Sequence, residues 1–295
     1  MRRRAPLAGL LAAAFLAFGC GARERPIRIG SKNFSEQVLL GEIVAQALEA
    51  RGLPVDRRLN LGGTFVCHRA LIAGELDLYP EYTGTAFTAV LTQKPVSDPA
   101  AVYRSVREAY AKRWDAVWAP PLGFENTFAI VVRKEDAGRL GLRRISDLAA
   151  HASLRPGFGY EFLEREDGYP GLVRAYGLAF ERRPAQMDLG LLYQALQSKT
   201  VDVVAGNSTD GLIEALGLAV LEDDRRYFPP YEAAFVVRGA VWREREAVRS
   251  VLEGLGGTIG ADEMRRLNAR IDRDKLRPED VAREFLAAKG LGRKG

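Results

Sequence analysis

The sequence predicts an α/β protein of two lobes, crossed twice by one chain, with a ligand cleft between them. Three observations predict it. Short apolar runs bounded by turns alternate with stretches of helical periodicity, the pattern of strands joined by crossover helices. A segment of the first half is echoed in the second. Ala70-Leu71 through Asp77-Leu78 to Tyr82-Thr83 aligns without a gap with Ala195-Leu196 through Asp202-Val203 to Asn207-Ser208, 125 residues later. Proline interrupts regular structure at two passages, Pro120-Pro121-Leu122-Gly123 and Phe228-Pro229-Pro230.

The elements follow in chain order. Met1-Arg-Arg-Arg4 is a basic start, Ala5 to Phe18 is a 14-residue run of apolar and small residues, and Gly19-Cys20 follows. This is the layout of a secretory signal peptide, too short for a membrane span. Ala17-Phe18-Gly19-Cys20 reads as a bacterial lipobox with Leu16 one place early, so residues 1–19 are expected to be removed and Cys20 lipidated. Residues 20–25 then form a polar tether. Ile27 to Gly30 reads as a strand, and Leu39, Ile43, Ala47 and Leu48 recur at helical spacing after Asn33 or Ser35. Asp98-Pro99 opens a helix with Val102, Val106 and Tyr110 on one face. Further helices are expected over 190–197, 243–255, 261–271 and 278–289. The alternation predicts mostly parallel sheets. A second echo joins Ala129-Ile-Val-Val-Arg133 to Ala234-Phe-Val-Val-Arg238. Lobe one is expected to hold residues 26–123 and 231–295, and lobe two 124–230. The turns Tyr82-Thr83-Gly84-Thr85 and Asn207-Ser208-Thr209-Asp210 should then face each other across the cleft.

Composition narrows the function. The chain has 295 residues, 43 Lys+Arg against 38 Asp+Glu, 47% hydrophobic residues, 2 Cys and 2 His, so disorder and a disulfide scaffold are excluded. Cleavage before Cys20 leaves 276 residues and removes three arginines, lowering the net charge from +5 to +2. The basic excess is then largely an export signal, and no nucleic-acid partner is expected.

Four segments carry candidate binding chemistry. Gly30 to Gln37 joins a strand to a helix N-terminus, where free N–H groups, the helix dipole and Lys32 suit an anion. Asp77 to Thr85 crowds Tyr79, Glu81, Tyr82, Thr83 and Thr85 at a strand's carboxyl end, where open α/β sheets bind ligands. Tyr82 offers a ring face to a cation, while Tyr79 is expected to pack. Gly123 to Phe128 and Tyr227 to Tyr231 place aromatics at the two passages. Enzyme signatures are absent from the sequence: there is no Gly-x-Ser-x-Gly elbow, phosphate loop or dinucleotide fingerprint. His68 and His151 lack ligand-spacing partners, and Cys67 reads as a buried small hydrophobe.

Ser31-Lys-Asn-Phe-Ser-Glu-Gln37, Leu61-Gly-Gly-Thr64, Glu75-Leu-Asp-Leu-Tyr-Pro-Glu-Tyr-Thr-Gly-Thr85, Glu164-Arg-Glu-Asp-Gly-Tyr-Pro-Gly171, Asn207-Ser-Thr-Asp-Gly211 and Phe228-Pro-Pro-Tyr231 together resemble the substrate-binding proteins of quaternary-amine ABC importers. These are the osmoprotectant uptake proteins for glycine betaine, choline and carnitine. The resemblance spans the chain after the leader. It implies a type II periplasmic-binding-protein fold with two interlobe crossings, no cofactor, and a monomer that delivers ligand to an ABC permease with a separate ATPase. It also implies an aromatic cage for a trimethylammonium head, with Tyr82, Phe128 and Tyr231 as members by motif position. Phe128 stands where the family often has tyrosine, and Asn207 where it often has a fourth tyrosine. The second change implies a bulkier or more polar ligand, such as ergothioneine. Thr85, Lys32 and Arg165 match positions that hold a ligand carboxylate or polar tail. Two other readings compete, a sensor module of the same fold and a two-lobed enzyme. A sensor would carry a signalling domain, whereas this chain ends at Lys294-Gly295 just after a helix; an enzyme would show a paired acid and base.

Overall fold

The computed structural model describes residues 25–292. The leader over 1–19, Cys20 and all of the tether but Arg25 lie outside the described residues.

Among the described residues, ten strands form two sheets. The first contains β1 (Ile27–Lys32), β2 (Val55–Gly62), β3 (Leu78–Tyr82), β4 (Ala116–Trp118) and β10 (Ala233–Arg238), in the order β2-β1-β3-β10-β4. The second contains β5 (Phe128–Arg133), β6 (Pro156–Phe158), β7 (Ala185–Gln186), β8 (Val203–Asn207) and β9 (Leu218–Leu221), in the order β7-β6-β8-β5-β9. The two orders superimpose place for place, with β3 matching β8 and β10 matching β5. Those are the strands of the two sequence echoes.

The sheets are mixed, not mostly parallel as expected. In the first, β1 runs parallel to β2 and β3, while β10 runs antiparallel to β3 and β4. In the second, β6 is parallel to β7 and β8, while β5 is antiparallel to β8 and β9. The reason is the crossing itself. Each sheet receives one strand from a chain segment arriving from the other lobe, and that strand enters from the cleft side. The two passages run side by side: Leu122 N–H bonds to Ala233 O, Asn126 N–H to Tyr231 O, and Ala233 N–H to Phe124 O.

The equivalence extends to side chains. Asp77, just before β3, accepts from the backbone and guanidinium of Arg28 and from Arg238. Asp202, just before β8, accepts from the backbone and guanidinium of Arg155 and from Arg133. In each case burial would raise the carboxyl's pKa, and the arginine bonds overcome this and hold it below its ordinary value.

Helices cover the sheets. α1 (Ser35–Glu49) buries Leu39, Leu40, Ile43, Val44 and Leu48 on the first sheet's core. α2 (Thr64–Ile72) starts at the cleft. The helix Pro99–Trp114 has Asp98 as its N-cap, with the carboxylate accepting from Ala100 N–H, and buries Val102, Val106 and Tyr110 as the spacing predicts. The helix expected over 243–255 is broken: Gly239–Glu244 ends at Arg245, whose ψ of 78° lies outside the helical range, and Glu246–Leu255 begins anew. The helix Ala261–Asp272 packs on α1 and on the second lobe's helix Gly211–Ala215, so it spans the two lobes. No helix among the described residues is long and apolar enough to cross a membrane.

Candidate functional site

A cavity of about 410 Å³ opens between the lobes at the carboxyl ends of β3 and β8. Lys32, Tyr82, Thr85, Phe128, Arg165, Asn207 and Tyr231 all line it. The sheet register explains the convergence of four of them. Tyr82 closes β3 opposite Ala233, two residues after Tyr231, and Asn207 closes β8 directly opposite Phe128.

Aromatic rings form the inner wall. The Phe128 centroid lies 5.7 Å from that of Tyr231, nearly perpendicular, and 4.8 Å from that of Phe162. Phe34 stacks 6.4 Å from Tyr82. Both tyrosines are buried, at 4% and 2% exposure. Gly84 makes room for one of them, since a Cβ there would sit 2.6 Å from the Tyr231 ring and from Pro230 O. Phe34 and Phe162 were not singled out by the sequence. Phe34 carries no spacing signal, and Phe162 sits in a helix of five residues, Tyr160–Glu164. Tyr79 packs in the core, as expected.

Each tyrosine hydroxyl is held by a buried carboxyl. Tyr82 donates to Glu36 Oε1 at 2.6 Å, and Tyr231 donates to Asp167 Oδ2 at 2.6 Å. Burial, and then the adjacent carboxyl, push both phenol pKa values well up, so the hydroxyls remain donors. Glu36 also accepts from Asn126, Asn268 and Thr209. Burial still lifts its pKa above the ordinary carboxylate value.

The two cations anticipated for a ligand carboxylate are already partnered. Lys32 Nζ lies 2.5 Å from Glu81 and 5.0 Å from the Tyr82 centroid. Arg165 pairs with Asp167 at 2.5 Å, reaches Thr85 Oγ1 at 3.3 Å, and lies 5.2 Å from the Phe128 centroid. Burial opposes the Arg165 charge, but the Asp167 carboxylate raises its pKa and keeps it ionised. Three cations line the cavity (Lys32, Arg69 and Arg165), against Glu161, Glu164 and Asp188 on its wall and Glu36, Glu81 and Asp167 bonded just behind. The lining itself is balanced, three cations to three carboxyl groups, and because Lys32 and Arg165 are paired with Glu81 and Asp167 their charge is offset where a positive ligand would sit.

The lobes touch across the mouth. Glu161 accepts from Thr64 N–H at 2.6 Å and from the Thr64 hydroxyl at 3.2 Å, where α2 begins. Cys67 is fully buried, and desolvation pushes its thiol up to about 12, far from a reactive thiolate. His68 packs edge-on against Tyr110 and Trp114. No group of His, Cys, Asp or Glu among the described residues is arranged to hold a metal ion.

Residues 25–288 match the family model described as the substrate binding domain of ABC-type glycine betaine transport systems. The chain is 36% identical over 270 residues to the ergothioneine transport permease/ergothioneine binding protein EgtU of Helicobacter pylori, covering 91% of this chain and 48% of that protein, about half its length. It is 33% identical over 270 residues to the carnitine transport binding protein OpuCC of Listeria monocytogenes, covering 90% and 87%. A crystal structure described as a glycine betaine/carnitine/choline ABC transporter superimposes with a TM-score of 0.73 at 34% identity, covering 90% of this chain and 99% of that one. The architecture is that of type II periplasmic binding proteins, and the chain belongs to the substrate-binding domains of ABC-type glycine betaine transport systems.

Proposed function

We propose that this protein captures a small quaternary-ammonium compound in the interlobe cavity and delivers it to an ABC permease served by a separate ATPase. The observation that carries the reading is the convergence of Tyr82, Phe128 and Tyr231 on one cavity whose cations Lys32 and Arg165 are each already paired with a carboxylate. A quaternary ammonium has no N–H to donate, so ring faces, shape and surrounding negative charge must recognise it. Each cation–π contact contributes roughly 0.5–2 kcal/mol. Two or three rings with hydrogen bonds to a polar tail support micromolar binding, about −8 kcal/mol.

The ligand is one with more bulk or polarity than glycine betaine. Asn207 presents an amide where a further ring would narrow the cavity, and about 410 Å³ is within the range of drug-sized ligands. Of the quaternary amines in this class (glycine betaine, choline, carnitine and ergothioneine), ergothioneine is therefore favoured. Thr85 is the group best placed to take a ligand's polar tail, because Lys32 and Arg165 have carboxylate partners and would share their charge with a ligand. Lobe one over 26–123 and 231–295 and lobe two over 124–230 move as the two jaws. The protein acts outside the cytoplasm, held to the membrane by lipid on Cys20, as a monomer without cofactor or catalysis.

Thermal unfolding tests the reading. A bound ligand raises Tm by mass action. The ligand sought among the four raises Tm in a dose-dependent way, and no shift with any of them rejects the proposed class.

A further inference from the structure

Two buried carboxyl groups reach across the cleft in opposite directions. Glu36, on α1 of the first lobe, accepts the Thr209 hydroxyl of the second lobe at 2.5 Å and the Tyr82 hydroxyl at 2.6 Å. Asp167, in the second lobe, lies 2.6 Å from the Thr88 hydroxyl of the first lobe and 2.6 Å from the Tyr231 hydroxyl of the return passage. Thr88 also lies 2.7 Å from Gly84 O, and the charged acceptor is the stronger of the two. Glu36 and Asp167 are 3% and 0% exposed, so opening the lobes would strip a donor from a group that water does not reach in the closed form.

We propose that Glu36 and Asp167 are reciprocal clasps that make lobe closure and the cation affinity of the cage a single event. This rests on the cage reading above. Each clasp bonds one threonine hydroxyl from the opposite lobe and one cage tyrosine. The threonine bond holds the lobes closed, joined at Asp167 by the Tyr231 bond, which also links the second lobe to the return passage. The tyrosine bond fixes the ring's orientation and draws its proton toward a carboxyl, which enriches the ring in electron density and strengthens its attraction for a cation. Neither carboxyl touches the ligand, so both are positioning residues. The geometry also distinguishes their roles. Asp167 is ionised, with burial opposed chiefly by Arg165, whereas Glu36 has no cationic partner among the described residues and relies on four neutral donors.

The test uses choline and glycine betaine, each beside its tert-butyl analogue, in which carbon replaces the nitrogen and the head group carries no charge; charged and neutral refer here to that head group, since the glycine betaine analogue keeps its carboxylate. Tyr82→Phe and Tyr231→Phe keep the rings and remove the hydroxyls. They should lower affinity for the charged probes roughly two- to fivefold more than for the neutral ones. Thr88→Val and Thr209→Val remove the cross-cleft bonds and should weaken charged and neutral probes alike. Circular dichroism and Tm establish that each variant is folded, and the two tyrosine variants serve as independent tests. An unchanged charged-to-neutral ratio in both tyrosine variants overturns the coupling to the rings. Unchanged affinity in both threonine variants overturns the clasp. If the unmutated protein does not prefer a charged probe to its analogue, the cage reading falls and takes this inference with it. A preserved preference with a failed variant pattern overturns this inference alone.

Discussion

Asn207 occupies in the second lobe the place that Tyr82 occupies in the first. Each ends the third-placed strand of its sheet and faces the same cavity: Tyr82 pairs in register with Ala233 of β10, and Asn207 with Phe128 of β5. The site is thus a pseudo-symmetric pair of strand ends with an aromatic ring on one side and an amide on the other. The amide side is anchored, since Asn207 N–H bonds to Asp210 Oδ2 at 2.9 Å. The asymmetry is the feature of this chain most directly tied to ligand size.

Replacing Asn207 with tyrosine should therefore restore a ring wall and narrow the cavity. Asn207→Tyr is expected to shift preference toward glycine betaine and away from ergothioneine by about tenfold, one cation–π contact's worth. Competition binding with the two ligands reads the ratio, and equal loss for both would contradict the assignment.

Gly84 is a packing constraint on the cage. A methyl group there meets Pro230 O and the Tyr231 ring at 2.6 Å, and backbone does not yield cheaply. Gly84→Ala should cost about 1–3 kcal/mol of stability by overpacking and weaken ligand binding by displacing Tyr231. Denaturant unfolding and titration check the two effects; a neutral result in both would mean the return passage is free to shift.

Asp210 gives a pH signature. Burial lifts its carboxyl to about 6, against hydrogen bonds from Tyr193 and the Asn207 N–H, and with repulsion from Glu36 and Asp272. A carboxyl with a raised folded-state pKa binds a proton more tightly folded than unfolded. Its contribution is full below about pH 4 and is lost as pH rises through about 6. Asp210→Asn keeps an acceptor for Tyr193 and removes the titration. The stability of the unmutated protein relative to this variant should fall by roughly 1–3 kcal/mol from pH 4 to pH 6. A flat difference across that window would contradict the assignment.

Ligand should favour the closed form. Glu161 on the α2 start, Thr209 on Glu36 and Thr88 on Asp167 are bonds between lobes, and each requires closure. Small-angle scattering should show a smaller radius of gyration with saturating ligand than without. Identical profiles would argue against a hinge.

The fold was legible in the sequence because both echoes fall on strands that hold the same place in the two sheets. Asp77 and Asp202 sit at matching positions and bind matching arginines, so similar local sequence meets similar physical demands. Strand direction was not legible, because a strand's run of valines reads alike whichever way its neighbour points. The seven residues were legible through motif position, and register explains why four of them, Tyr82, Phe128, Asn207 and Tyr231, meet. Glu36 was missed as an organising group. Its donors Tyr82, Asn126, Thr209 and Asn268 are 46 to 232 residues away in sequence, and nothing in Ser35-Glu36-Gln37 distinguishes a buried carboxyl from an ordinary first-turn glutamate. Phe162 escaped for the same reason, since only tertiary packing brings it to Phe128.

The central claim is that the rings at Tyr82, Phe128 and Tyr231 bind a quaternary ammonium between the lobes. Titration calorimetry of the unmutated protein and of Tyr82→Ala and Tyr231→Ala with glycine betaine, choline, carnitine and ergothioneine tests it most directly. The predicted result is saturable one-to-one binding of at least one of the four, weakened about tenfold or more in each variant. Absence of binding to all four, or unchanged affinity in both folded variants, would contradict it.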